Sequence, residues 1–103
     1  MHDEVLITEV GRRLHAAAPG AQVIMFGSRA RGDHGPDSDL DILVVEETVN
    51  DAAAESIRLR EAIAGLPIFA DVIAVDAAEA SHRRHALNDI VGVAFREGRP
   101  LAA

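Results

Sequence analysis

The chain contains no cysteine, tryptophan or tyrosine, and only three phenylalanines. Without cysteine it can form neither a disulfide framework nor a thiolate zinc site. With so few rings its core has to be aliphatic, and hydrophobic residues at 49% of the composition suffice to build one. No apolar run approaches the roughly 20 residues of a membrane span. The opening MHDEVLITEV is acidic and amphipathic, unlike a secretory leader. Positive charge is also scarce: 10 Lys and Arg stand against 17 Asp and Glu, a net charge of −7. Non-specific binding to nucleic acid or to an anionic membrane is therefore disfavoured for the surface as a whole. With 103 residues and no repeat, linker or low-complexity segment, the sequence reads as one cytoplasmic domain spanning residues 1–103.

What is present is an alternation of helical and strand patterns. Asp3 is placed to cap a helix in which Leu6, Ile7, Val10 and Leu14 recur on one face, and Pro19-Gly20 ends it. QVIMF, residues 22–26, reads as a short buried strand with Gly27-Ser28 as its turn. GDHGPDSD is a loop punctuated by Gly35-Pro36, and DLDILVV, residues 39–45, is a second strand. A helix is expected between Asn50 and Leu66, with Ala52, Leu59, Ala62, Ile63 and Leu66 inward, and Pro67 opens a third strand, IFADVIAV. Asp76 with Glu79 three residues on resembles a capping box. It starts one last helix whose inner stripe is Leu87, Ile90, Val91 and Ala94, and Gly98 stops it. The order α-β-(turn or short helix)-β-α-β-α predicts an α/β (α+β) domain, a small mixed β-sheet flanked by helices.

Carboxylates interrupt this apolar pattern where they should not. Asp39 and Asp41 point the same way from the second strand, about 7 Å apart at the Cα atoms. Asp71 interrupts the third strand in the same manner. Taken singly, each has an ordinary explanation as a cap, a bulge or an edge residue, and Asp37 reads as a cap or turn residue. If strands two and three pair, however, all three carboxylates converge, because neighbouring strands lie roughly 5 Å apart. Two carboxylates about 4 Å apart at an effective dielectric near 20 repel by roughly 4 kcal/mol, a large part of the stability of a small domain. A divalent cation removes that cost, and Mg²⁺ favours carboxylate oxygens together with substrate phosphates. The three aspartates read as a metal site.

Gly27-Ser28 supplies the other half. Glycine lets a phosphate approach the backbone, and a helical turn over residues 28–31 would aim free N–H groups at an anion. Arg29 and Arg31 add positive charge where a polyphosphate would need it. Alone, Gly-Ser is only a turn. Joined to D-x-D after ten intervening residues, and to a third Asp on a later strand, it is a specific pattern.

GSRARGDHGPDSDLDILVV with the later ADV resembles the nucleotidyltransferase superfamily of DNA polymerase beta: G-S, a loop, D-x-D, then a third acidic strand residue. The small size, GSRARG and the closing FREGRPL are similar to the minimal nucleotidyltransferases of bacteria and archaea, which are usually partnered with a helical HEPN protein in a toxin–antitoxin pair. The resemblance implies a polymerase beta-like core in which Gly27 and Ser28 hold the triphosphate, assisted by Arg29 and Arg31. It further implies that Asp39 and Asp41 hold two Mg²⁺ ions, with Mn²⁺ as a substitute. Asp71 would bind the catalytic metal and help deprotonate the attacking hydroxyl. Two metals about 3.5–4 Å apart would clamp an in-line displacement at the α-phosphorus. The larger members' second domain, which binds the acceptor, has no counterpart here. A partner or a second subunit must then present it, in a hetero- or homo-oligomer.

Three functions compete. The first is transfer of AMP from ATP, or of another nucleotidyl group from its triphosphate, to a hydroxyl of a HEPN toxin. The second is a non-enzymatic antitoxin that blocks its toxin sterically. The third is nucleotidyl transfer to a small molecule or an RNA end. The remaining candidates carry less. His82 and His85 read as exposed surface residues, His34 as a turn residue, His15 as a helix C-terminal residue beside the dipole, and Arg83-Arg84 as a solvated face.

Overall fold

The computed structural model describes residues 3–35 and 38–103, so Pro36 and Asp37 lie outside the described residues. Among the described residues nine elements follow one another: α1 (Asp3–Ala17), β1 (Gln22–Phe26), α2 (Ser28–Arg31), β2 (Leu40–Glu46), α3 (Ala52–Ala62), β3 (Ala70–Asp76), α4 (Ala77–Arg83), α5 (Ile90–Glu97) and β4 (Arg99–Pro100). The strands form one sheet in the order β3-β2-β1-β4. β1 is antiparallel to both β2 and β4, while β2 and β3 run parallel through the α3 crossover. The sheet is therefore mixed and flanked by helices, as expected.

Alternation along the strands sorts the core into two layers. Val23, Met25, Leu40, Ile42, Val44, Val72 and Ala74 face Ile7, Val10 and Leu14 of α1 and Leu59 of α3. Ile24, Phe26, Leu43 and Val75 face Ala80 of α4 and Val91 and Ala94 of α5. The two layers are aliphatic apart from Phe26, as a sequence so poor in rings requires. Among the described residues no helix is long and apolar enough to cross a membrane.

The first strand has the expected bounds, and the second is shifted by one residue. The α1 stripe of Leu6, Ile7, Val10 and Leu14 is buried, and the helix already includes Asp3. α3 is shorter than the span from Asn50 to Leu66: Asp51 caps it by accepting from the Ala54 N–H at 3.0 Å, and Ala52 is exposed. Leu59 and Ile63 do pack inward. Asp76 accepts from the Glu79 N–H at 2.8 Å, as the capping pattern requires.

The expected single last helix is in fact two. Asp89 caps a new helix by accepting from the Val91 N–H at 2.8 Å, and the Arg83 guanidinium grips the same carboxylate at 2.7 Å through both Nε and Nη2. Arg96 meanwhile donates to the carbonyls of Ala86 and Leu87 at 3.1 and 3.0 Å, satisfying the turn between the helices. Leu87 and Ile90 consequently lie outside the core at 75% and 47% exposure, and only Val91 and Ala94 of the expected stripe are buried. Arg83-Arg84 is not a free basic step, because Arg84 stacks over the Phe95 ring at 4.7 Å. The third strand starts at Ala70, so Phe69 precedes it. β4 was not expected; two residues carry no periodicity. It pairs with Ile24 and Met25, and a Cβ at Gly98 would strike the Ile24 methyl group.

Candidate active site

Three chain reversals meet at one corner of the sheet: the exit of β1 and the entries of β2 and β3. Gly27 leaves β1 at φ 78°, a conformation that side chains other than glycine's rarely adopt. A Cβ there would also collide with Oδ2 of Asp41 and lie 3.3 Å from its Cγ. Glycine is thus required twice, once by the backbone angle and once by the carboxylate lying against it. The Gly27 carbonyl then accepts from the Ala30 and Arg31 N–H groups, both at 3.1 Å, starting the single turn of α2. By helix geometry the N–H groups of Ser28 and Arg29 have no partner inside that turn.

Register fixes the carboxylates. Asp41 is directly opposite Phe26 of β1 on one side and Asp71 of β3 on the other. Laterally paired residues share a face, so Asp41 and Asp71 project together on the side of the sheet that carries Phe26 and Leu43. Helices α4 and α5 cover that face further along, over Leu43 and Val75. Asp39 and Asp71 are exposed and Asp41 is half-buried. The Asp41 carboxyl is held above the ordinary carboxylate range, chiefly by burial, then by the charges of Asp71 and Asp39, with Arg31 opposing. The charges of the other two expected carboxylates thus both bear on Asp41.

The two arginines behave differently from each other. The Arg29 side chain is only 5% exposed; its Nε donates to the Ser38 carbonyl at 3.1 Å and its Nη1 to Asp3 at 3.2 Å. It ties α2 to the residue just before Asp39 and to the first turn of α1. Arg31 is more open, paired with Asp33 at 3.2 Å and Glu97 at 3.5 Å, and its charge reaches Asp41. A strut role for Arg29 left no mark in the sequence, since its partners are a backbone carbonyl and a residue on another helix.

Residues 6–91 match the model of a family described as the nucleotidyltransferase domain. The chain belongs to that family. Membership brings with it a nucleoside triphosphate as substrate and, generally, a divalent metal as helper. Among solved structures, the nucleotidyltransferase domain is similar to a Sulfolobus solfataricus protein described as "a putative nucleotidyltransferase", with a TM-score of 0.63 and 24% identity. The match covers 93% of this chain and 76% of that one, and it shows a shared fold. No curated protein matches the chain significantly.

The donor set of this nucleotidyltransferase domain fits a hard divalent cation: carboxylate oxygens alone, from Asp39, Asp41 and Asp71, with their mutual repulsion registered at Asp41. Among the described residues no group of three acidic or histidine side chains is arranged to hold a metal ion. Mutually repelling carboxylates have no reason to close without a cation between them. The histidines lie elsewhere. His82 and His85 are exposed, His15 bonds the Leu101 carbonyl at 2.8 Å, and His34 is exposed with its Nε2 3.9 Å from Asp3.

Proposed function

We propose that this domain transfers a nucleotidyl group, AMP from ATP, to a hydroxyl, with Mg²⁺ or Mn²⁺ held by Asp39, Asp41 and Asp71. One observation carries the reading: Asp41 lies against Gly27 on one side and is in register with Asp71 on the other. A triphosphate laid against Gly27 and the Ser28 N–H therefore has its α-phosphate beside the carboxylates. The bound cations would neutralise charge on the phosphates and on the departing pyrophosphate. The residues of the chain position the reactants. Gly27 and Ser28 cradle the phosphate tail, Arg31 adds positive charge, and Asp71 receives the proton of the attacking hydroxyl. The hydroxyl oxygen forms a bond to the α-phosphorus, the bond to the bridging oxygen breaks, and pyrophosphate leaves with the electron pair. With little covalent chemistry left to the protein, positioning and charge neutralisation account for the rate.

The finer reading is that the acceptor belongs to a HEPN toxin and that this domain is its antitoxin. GSRARG and the closing FREGRPL support it through their resemblance to minimal nucleotidyltransferases. The test is to co-express the domain with a HEPN protein, should one be encoded beside it, and to read the partner's intact mass after incubation with ATP and Mg²⁺. Each transfer adds one AMP, and Asp39→Asn or Asp71→Asn abolishes it. A partner that binds and is neutralised without gaining mass would establish the steric antitoxin instead. No complex at all, with AMP appearing on a small molecule or an RNA end, would move the acceptor there.

A further inference from the structure

Of the three carboxylates of the site, Asp39 is the one that the sheet does not hold. Asp41 pairs with Phe26 on one side and with Asp71 on the other, so the ladder fixes the backbone of both aspartates. Asp39 precedes β2, whose pairing with β3 starts at Leu40 and Ala70. Two hydrogen bonds stand in for the ladder. Behind Asp39, the Ser38 carbonyl accepts from the Arg29 Nε at 3.1 Å. Ahead of it, the Leu40 N–H donates to the Phe69 carbonyl at 2.8 Å. Extending the β2–β3 register back by one residue sets the exposed Phe69 beside Asp39. A peptide unit is planar, so only φ and ψ of Asp39 lie between these two anchored planes. Holding both planes limits the directions in which the Asp39 side chain can leave the backbone.

We propose that Arg29 is a positioning residue that aims the Asp39 carboxylate at the cation and makes no contact with the triphosphate. The inference rests on the nucleotidyl-transfer reading and adds to it what aligns the phosphate turn with the metal ligands. Arg29 follows Ser28 in α2, so one side chain ties the turn that cradles the phosphates to the peptide that carries Asp39. Burial separates its role from that of Arg31: the Arg29 side chain is 5% exposed and the Arg31 side chain 44%. With Nε on Ser38 and Nη1 on Asp3 at 3.2 Å, the guanidinium is committed to the protein on two sides. Asp3, in the first turn of α1, balances its charge and keeps the fork from swinging. Ser38 is itself braced. Its N–H donates to the Gly35 carbonyl at 3.2 Å, and its Oγ accepts from the Gly35 N–H at 2.9 Å. The hold of Arg29 on Ser38 is thus passed to Asp39 instead of being lost in the loop. Groups that orient a metal ligand from behind typically change metal affinity about tenfold to a hundredfold when removed.

Titration with Mn²⁺ alone, with free and bound ion distinguished by electron paramagnetic resonance, tests the assignment in a double-mutant cycle with Asp39. Arg29→Gln weakens Mn²⁺ about tenfold. Arg29→Lys weakens it less, because an ammonium can meet Ser38 or Asp3 but not both forks of the original contact. In an Asp39→Ala background Arg29→Gln changes little, since the carboxylate it aims is gone. Charge alone predicts the opposite sign: removing a cation near the site tightens Mn²⁺. Unchanged or tighter binding in Arg29→Gln would therefore overturn the proposal. Losses that multiply in full would also overturn it, assigning Arg29 to general support of the fold. If Arg29→Gln does not fold, Arg29→Lys carries the same cycle. Failure of the underlying reading has a separate signature: the wild type then binds no Mn²⁺, Asp41→Asn changes nothing, and the role of Arg29 falls with the site.

Discussion

The two ends of β2 both carry crowded acids, and they deal with them in opposite ways. At the far end Glu46 meets Glu55 of α3. The Glu55 carboxylate is gripped by Arg58 through Nε and Nη2 at 2.7 and 2.6 Å and pulled down to about 2, first by Arg58 and then by its bond with Glu46. Glu46 is pushed up to about 7, chiefly by burial, then by sharing a proton with Glu55. Its Oε2 is buried and meets no hydrogen-bond partner among the described residues, which suits a carboxyl that keeps its proton and donates to Glu55. Arg58 steadies one acid of that pair and burial favours the protonated form of the other, both within the protein. At the near end Asp39, Asp41 and Asp71 have no such settlement among the described residues. Arg31 reaches Asp41 only while also serving Asp33 and Glu97, and Arg29 is turned to Ser38 and Asp3. Crowded acids are therefore not in themselves a metal site. What distinguishes the near end is that it leaves charge for the proposed cations to neutralise.

The largest effect is expected from breaking the unsettled end. Asp41→Asn should lower nucleotidyl transfer by about a hundredfold or more, measured as release of pyrophosphate. In metal-free buffer the same variant should melt no lower than the wild type, because it removes repulsion. Near wild-type turnover in Mg²⁺ would refute the assignment of Asp41.

Gly27→Ala comes next. It combines an unfavourable φ with a methyl group driven into the Asp41 carboxylate, so a loss of about 1–3 kcal/mol of stability is expected, together with activity. Denaturant titration reads the first and pyrophosphate release the second. A variant of full stability would mean that Asp41 moves aside freely.

Magnesium itself sharpens the comparison. A ligand that binds only the native state stabilises it by mass action, so saturating Mg²⁺ with a non-reactive triphosphate should raise the melting temperature by about 5 °C or more. Asp39→Asn should lose most of that rise. Glu46→Gln at the settled end should keep it.

The smallest effect is a pH dependence at that settled end. Between the ordinary glutamate value of 4.5 and about 7, folded Glu46 holds a proton that the unfolded chain releases. Its contribution is present in full below 4.5 and is lost as pH rises through 7. Glu46→Gln keeps a donor for Glu55 without titrating. Its melting temperature should exceed that of the wild type at pH 8 and converge with it by pH 4.5, whereas parallel curves would show no shared proton.

The sequence placed the three carboxylates better than it placed the helices, for a physical reason. Asp39, Asp41 and Asp71 violate an apolar pattern, and a violation is visible without knowing what surrounds it. Only the pairing of the strands was open, and the parallel register answered it. The division of the last helix was hidden because Asp89 reads as an ordinary helical residue until Arg83 closes on it from the preceding turn. Arg29 read in the sequence only as a positive charge suited to a polyphosphate, while its burial against Ser38 depends on how the loop returns. Phe69 looked like one more apolar residue of a strand, and only the ladder shows it as an exposed neighbour of Asp39.

The parallel pairing of β2 with β3 also gives the site a history. Asp39 and Asp41 are local neighbours, but Asp71 joins them only after the chain has passed through α3 and returned alongside β2. Closing that crossover is the slow, non-local part of building such a sheet. If the three aspartates hold metal as proposed, the third carboxylate is thus a timer: before the crossover closes the chain would offer a cation a weak pair of acids, and afterwards three. Strong metal affinity should appear in a refolding experiment together with the last ladder and not with the first collapse. On that reading a chain caught half-folded would have no means of committing a nucleotide to reaction.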